Sequence, residues 1–191
     1  MRAVEAFLIS TGVVALAEIG DKTQLLAFVL ASRFRKPVPI VFGMLGATLL
    51  NHALAGVAGR FVANVVGPVA MRWILGVSFI AMAVWMLIPD RLDDADTHRP
   101  PRFGAFLTTL IAFFLLEMGD KTQIATVALA AKYPSLVGVV AGTTLGMMIA
   151  NVPVVLVGNG IAKRLPLKVV HGVAACIFLA MGLVVLISPM L

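Results

Sequence analysis

Six stretches of this chain are apolar for about the length of a bilayer crossing. They run approximately over 4–31, 38–59, 70–88, 103–131, 135–158 and 169–187, and roughly 20 residues suffice to cross the hydrocarbon as a helix. The breaks between them carry turn and charge signals: Arg33-Phe34-Arg35-Lys36-Pro37, Val66-Gly67-Pro68, Lys132-Tyr133-Pro134 and Lys163-Arg164-Leu165-Pro166. One polar stretch is long. It runs from Pro89 to Arg102 with four aspartates and reads as a solvated linker. The pattern predicts an all-α integral membrane protein of six transmembrane helices in one membrane domain: a first three-helix repeat over 1–89, an acidic cytoplasmic linker over 90–102, and a second repeat over 103–191.

Composition agrees. The chain is 61% hydrophobic and 13% charged, with mean hydropathy +1.05, more apolar surface than a soluble domain of 191 residues could cover. The net charge of +6 does not imply nucleic acid, because the basic residues sit in short clusters at the ends of apolar runs, where membrane proteins place them. The single cysteine, Cys176, rules out an internal disulfide and fits no zinc or redox spacing. Met1-Arg2 followed by an apolar run to Ala15-Leu16-Ala17 imitates a cleavable leader. Cleavage there would leave Glu18 at a new terminus, whereas its counterpart Glu117 lies inside an internal segment, so the run is read as a retained span.

The counterpart exists because the chain repeats itself. Glu18-Ile19-Gly20-Asp21-Lys22-Thr23-Gln24 returns as Glu117-Met118-Gly119-Asp120-Lys121-Thr122-Gln123, 99 residues later. Gly46 and Asn51 map onto Gly146 and Asn151, and Phe79 to Val84 onto Phe178 to Leu183. Three spans per half turn the second half upside down, which is the inverted-repeat plan that sets a substrate site near the midplane. Loops after spans one, three and five hold nine basic residues and the opposite side four, so both termini are expected outside the cytoplasm. Small residues at four-residue spacing, Gly43, Ala47, Ala55 and Gly59 in span two and Gly138, Gly142, Gly146 and Ala150 in span five, suit close helix packing in lipid.

Carboxylates inside a bilayer cost about 2.5–3.5 kcal/mol each on insertion scales and mark ion or proton pathways. On a continuous helix Glu18 and Asp21 share a face, as do Glu117 and Asp120, with Gln24 and Gln123 extending each stripe of oxygens. Gly20 and Gly119 weaken the helix and would permit a break whose freed carbonyls reach an ion. Such oxygens suit hard divalent cations. Thr23 and Thr122 are candidate hydroxyl ligands or caps of a broken helix, and Asn51 and Asn151 candidate pathway-lining or interhelical amides. Lys22 and Lys121 lie four residues after Glu18 and Glu117 and are expected to pair with them, in a gating or charge-balancing role. Four ionised carboxylates carry more charge than a divalent ion neutralises, so protons and metal would compete for the cluster as a whole. His52 and His171 have no counterpart in the other half and read as packing or interfacial residues. Purely structural Glu–Lys and Asp–Lys pairing would leave an uncompensated negative charge in each half.

Two Glu-x-Gly-Asp-Lys-Thr motifs, each opening a three-span half, resemble the Gdt-type family of manganese and calcium transporters over essentially the whole chain. The resemblance implies Mn2+ or Ca2+ carried as substrate in exchange for protons, no cofactor, and Glu18, Asp21, Glu117 and Asp120 as the metal-binding acids. The short chain without a targeting extension suggests a bacterial member exporting manganese across the inner membrane. A cation channel and an intramembrane lipid-phosphate enzyme remain alternatives, the latter without a nucleophile or arginines beside its acids. A basic amino acid as cargo would need a carboxylate-binding group that the sequence does not offer. Oligomeric state is not legible.

Overall fold

A computed structural model describes residues 2–88, 103–157 and 167–187. The linker expected over 90–102, and Lys163 and Arg164, lie outside the described residues. Eight helices and no strand are found among the described residues: α1 (Arg2–Glu18), α2 (Lys22–Phe34), α3 (Pro37–Val65), α4 (Pro68–Trp85), α5 (Ala105–Glu117), α6 (Lys121–Lys132), α7 (Leu136–Val157) and α8 (Leu167–Ile187). Helices α3, α4, α7 and α8 are each long and apolar enough to cross a membrane. A fifth crossing results if α1 and α2, bent by 72° at their junction, form one broken span. The apolar α5, at 13 residues, is too short to cross alone.

The boundaries have local causes. Pro37 and Pro68 open α3 and α4 at the first turn, where a missing N–H costs nothing. Arg35 adopts the left-handed region (φ 51°) and donates its N–H to the Ala31 carbonyl, closing α2. Helix α3 runs past the expected end at Gly59 to Val65, and Arg60 there donates to the Pro134 carbonyl.

The bundle buries polar side chains among two apolar clusters and is apolar outside. Ser10, Thr48, Asn51, His52, Thr109, Thr143 and Asn151 are buried, while Leu50, Leu54, Phe61, Trp73, Val77 and Val184 are exposed. That arrangement suits lipid, in which close backbone contact holds helices together; of these polar residues Asn51 and Asn151 bond across helices, to Gln123 and Glu18. Helix α1 packs on α7 and α5 packs on α3, while α4 pairs with α8. The first two contacts are built alike: Gly142 lies against Phe7 and Ser10, and Gly43 against Phe106 and Thr109, with no room for a Cβ at either glycine.

Candidate cation site

Each seven-residue motif interrupts a helix. Helix α1 ends at Glu18 and α2 begins at Lys22; α5 ends at Glu117 and α6 begins at Lys121. Gly20 (φ 84°) and Gly119 (φ 77°) turn the chain through the left-handed region, which would cost another residue about 1–2 kcal/mol. Asp21 and Asp120 are extended N-cap residues with ψ 167° and 168°. Backbone bonds Asp21 N–H to Glu18 carbonyl (3.1 Å) and Asp120 N–H to Glu117 carbonyl (3.2 Å) span the breaks. Gln24 Oε1 accepts from Gly20 N–H at 2.9 Å and Gln123 Oε1 from Gly119 N–H at 2.6 Å. Thr23 donates to Glu18 Oε2 at 2.6 Å, and Thr122 to Glu117 Oε2 at 3.0 Å. The motif is thus a self-supporting broken helix.

Three expectations are corrected by that break. Glu18 and Asp21 do not share a helical face, nor do Glu117 and Asp120, because each pair straddles a turn. Gln24 and Gln123 direct their side-chain oxygens at the break rather than extending a stripe. Lys22 does not pair with Glu18: its Nζ lies 2.9 Å from Asp120 Oδ1, in the other half. Lys121 likewise donates to the Ile88 carbonyl at 3.1 Å, since the i,i+4 geometry needs an unbroken helix. Thr23 and Thr122 are not the N-caps, a position taken by Asp21 and Asp120; their hydroxyls are bonded to the glutamates of their own motifs.

Contacts between halves complete the site. The Gln24 amide donates to the Ala150 carbonyl at 2.8 Å, and the Gln123 amide to Asn51 Oδ1. Asn151 Nδ2 lies 3.1 Å from the Met147 carbonyl and 3.4 Å from Glu18 Oε2. Glu18, Glu117 and Asp120 each bring one carboxylate oxygen within 4.8 Å of the others. Both glutamates are fully buried and Asp120 is 3% exposed. Each of the three also has a buried oxygen with no hydrogen-bond partner (Glu18 Oε1, Glu117 Oε1, Asp120 Oδ2); one such group costs about 1–3 kcal/mol, more when charged. Convergent carboxylates that each keep an unsatisfied oxygen are what a hard cation or protons would satisfy. Asp21 and Lys121 are buried too (2% exposed each), but Asp21 lies outside the set of three.

His171, read from sequence as packing or interfacial, has a more specific place: its Nε2–H donates to the Ile19 carbonyl, freed by the first break, at 2.8 Å. Comparing the halves could not find it, since the other half carries no histidine there. The one sequence signal was a polar residue a single turn into the apolar α8. His52 is fully buried on α3.

Buried carboxylates gathered where two broken helices meet, inside a bundle with an apolar exterior, define a membrane carrier of cations. The chain belongs to the divalent cation/proton antiporter GDT1 family, whose model matches residues 6–94 and 105–190. It is therefore a transporter and not an enzyme, and the family is the one the doubled motif resembles. The chain is similar to a Vibrio cholerae serotype O1 protein named "Putative manganese exporter", with 53% identity over 176 residues, covering 92% of this chain and 87% of that protein. GDT1-like protein 3 of Oryza sativa subsp. indica is 26% identical over 200 residues, covering 92% and 71% respectively. GDT1-like protein sll0615 of Synechocystis is 27% identical over 191 residues, covering 91% and 92%. No solved structure matches the chain.

Proposed function

We propose that this protein exports a divalent cation, Mn2+ foremost and Ca2+ second, from the cytoplasm in exchange for protons, through one site shared by both halves. The observation that carries the reading is the convergence of Glu18, Glu117 and Asp120 oxygens within 4.8 Å. Two of these residues come from the second motif and one from the first, so neither half suffices. The name of the Vibrio cholerae relative supports manganese over calcium; both ions accept the same oxygen donors.

Charge explains the exchange. Glu18, Glu117 and Asp120 ionised carry three negative charges, and Lys22, bonded to Asp120, returns one positive charge. Asp21 and Lys121 cancel in the sum. A divalent cation brings the cluster to neutrality, and so do two protons. Each is an acceptable occupant of a low-dielectric site, and neither tolerates the other, so entry of one expels the other. Lys22 holds Asp120 while cargo is absent and gives way when cargo arrives. Thr23, Thr122 and Asn151 aim the glutamates, Gln24, Gln123 and Asn51 brace the breaks, and Asp21 completes the ligand set when the cargo moves towards the first break.

The surrounding architecture is read as six spans in two inverted repeats, with α1–α2 and α5–α6 as the broken first span of each half. Both termini then lie outside the cytoplasm, and the protein sits in a bacterial inner membrane. Liposomes containing the purified chain test the function. Mn2+ movement matched by opposite proton movement, and lost in Glu18→Gln, is the expected result. Mn2+ flux indifferent to an imposed proton gradient would make the protein a channel or uniporter instead.

A further inference from the structure

The two breaks have nearly identical sequences but are held by different contacts. His171 donates to the Ile19 carbonyl at the first break (2.8 Å), and Lys121, at the second, donates to the Ile88 carbonyl (3.1 Å). His171 lies one turn into α8, and Ile88 just beyond the C-terminal end of α4. These helices run antiparallel: the Phe79 and Phe178 rings meet at a tilt with centroids 6.3 Å apart, Gly76 abuts Leu186, and Gly182 abuts Ile80. The same register sets Ile88 beside the start of α8, at the level of His171. One end of the α4/α8 pair therefore clasps both breaks.

The opposite end holds the equivalents of these groups. At the repeat offset of 99 residues, His171 corresponds to Arg72, Ile88 to Ile187, Ile19 to Met118 and Lys121 to Lys22. Arg72 lies near the start of α4, and Ile187 ends α8, so they share the far end of the pair. There the contacts are not made. Lys22 is engaged with Asp120. Arg72 Nε is buried with no hydrogen-bond partner, its guanidinium resting 6.0 Å from the Trp73 ring centroid. Met118 is 57% exposed, so the second break lacks the cover that α8 gives the first. A guanidinium nitrogen shut away from an acceptor is costly, and a freed carbonyl is the acceptor it lacks.

We propose that the α4/α8 pair carries two alternative clasps, one at each end, and that the transport cycle exchanges them. Release of Ile19 by His171 and of Ile88 by Lys121 is matched by Arg72 binding the Met118 carbonyl and Lys22 binding the Ile187 carbonyl. The inference rests on the inverted-repeat antiporter reading above, in which the second state of the molecule is the first with the two halves in exchanged roles. It adds a link between clasp and cargo. Lys22 leaves Asp120 as it reaches Ile187, so the far clasp closes when Asp120 is taken by cargo or proton. Each clasp comprises two hydrogen bonds, so its loss moves a two-state population without unfolding either state.

Short thiol-to-thiol cross-linkers test this in a Cys176→Ser background. His171→Cys with Ile19→Cys reports the approach of α8 to the first break, and Arg72→Cys with Met118→Cys the approach of α4 to the second, each yield being compared with that of its own cysteine pair. The expected result is that each pair cross-links in part of the population and that a chain carrying all four substitutions forms one bridge or the other. The backgrounds should shift the pairs oppositely. His171→Ala raises the 72/118 bridge several-fold, and Arg72→Ala raises the 171/19 bridge. His171→Gln, which keeps a donor in place, leaves the 72/118 yield at its native value, separating loss of the clasp from loss of folding. Failure of the 72/118 bridge in every background, or both bridges in one molecule, overturns the proposal. Proton-coupled Mn2+ flux alongside that failure would leave the antiporter reading standing; alternating bridges without metal flux would do the reverse.

Discussion

The first and second breaks share six of seven residue types up to Thr and Gln, differing only at Ile19 against Met118, and they share their backbone. Glycine φ values of 84° and 77°, extended aspartates, and threonine-to-glutamate and glycine-to-glutamine bonds recur in both. Their surroundings differ. Glu18 has Asn151 at 3.4 Å, whereas Asn51 accepts from Gln123; Lys22 crosses to Asp120, whereas Lys121 bonds the Ile88 carbonyl; His171 covers only the first. Local sequence therefore decides that the helix breaks and how. Tertiary contacts decide which partner each broken end takes, and those contacts are asymmetric in a molecule whose sequence is nearly symmetric. A carrier with two states of similar energy requires that division.

The strongest way to break the comparison is to remove a carboxylate from one side of it. Glu18→Gln and Asp120→Asn are each expected to lower Mn2+ transport by about 100-fold or more while the protein stays inserted, because a metal ligand matters more than the outer-shell groups whose loss costs roughly 10–100-fold. Transport assays in liposomes, with detergent-solubilised yield as the insertion control, check this. Near-normal flux in either variant would end the shared-site account.

Proton competition comes next. With protons and cation exclusive occupants of the cluster, raising the pH strips protons and tightens metal binding, by up to ~10-fold per pH unit for each proton displaced. Binding isotherms between pH 6 and 8 read the slope, and a flat profile would contradict it.

The lysines sharpen the asymmetry. Lys22→Ala removes the cation bonded to Asp120 and is expected to slow exchange about 10-fold, with a smaller change in Mn2+ affinity, upward, because the ammonium is displaced by cargo and is not a ligand of it. Lys121→Ala, which leaves the Lys22–Asp120 pair intact, should have the smaller effect on rate. Equal effects would mean that the two breaks are not functionally distinct in this state.

The smallest effect expected is at the turn itself. Nothing lies within 4 Å of a Cβ built at Gly119, so Gly119→Ala should cost about 1–2 kcal/mol from its positive φ alone. Thermal unfolding in detergent measures it.

Much of the molecule was legible in advance. Apolar runs located the long helices, and the doubled motif located the buried acids, because a charge in lipid is too costly to be incidental. The glycines announced that a break was possible, but not that it occurs, and the face-sharing of Glu18 with Asp21 and the pairing of Lys22 with Glu18 assumed the continuous helix. The Lys22–Asp120 bond, the Gln24–Ala150 bond and the His171–Ile19 bond span 98, 126 and 152 residues of sequence. No local pattern encodes such pairings. His171 was hardest to see, since comparing repeats finds what the halves share, and its role lies in what they do not.

The central claim is one cation site made by both halves. Calorimetric titration of Mn2+ into the purified protein, in two buffers of different ionisation enthalpy, measures stoichiometry and proton release together. The account predicts one Mn2+ per chain with protons released, abolished equally by Glu18→Gln and by Glu117→Gln. Two ions per chain, with each substitution removing one and sparing the other, would contradict it.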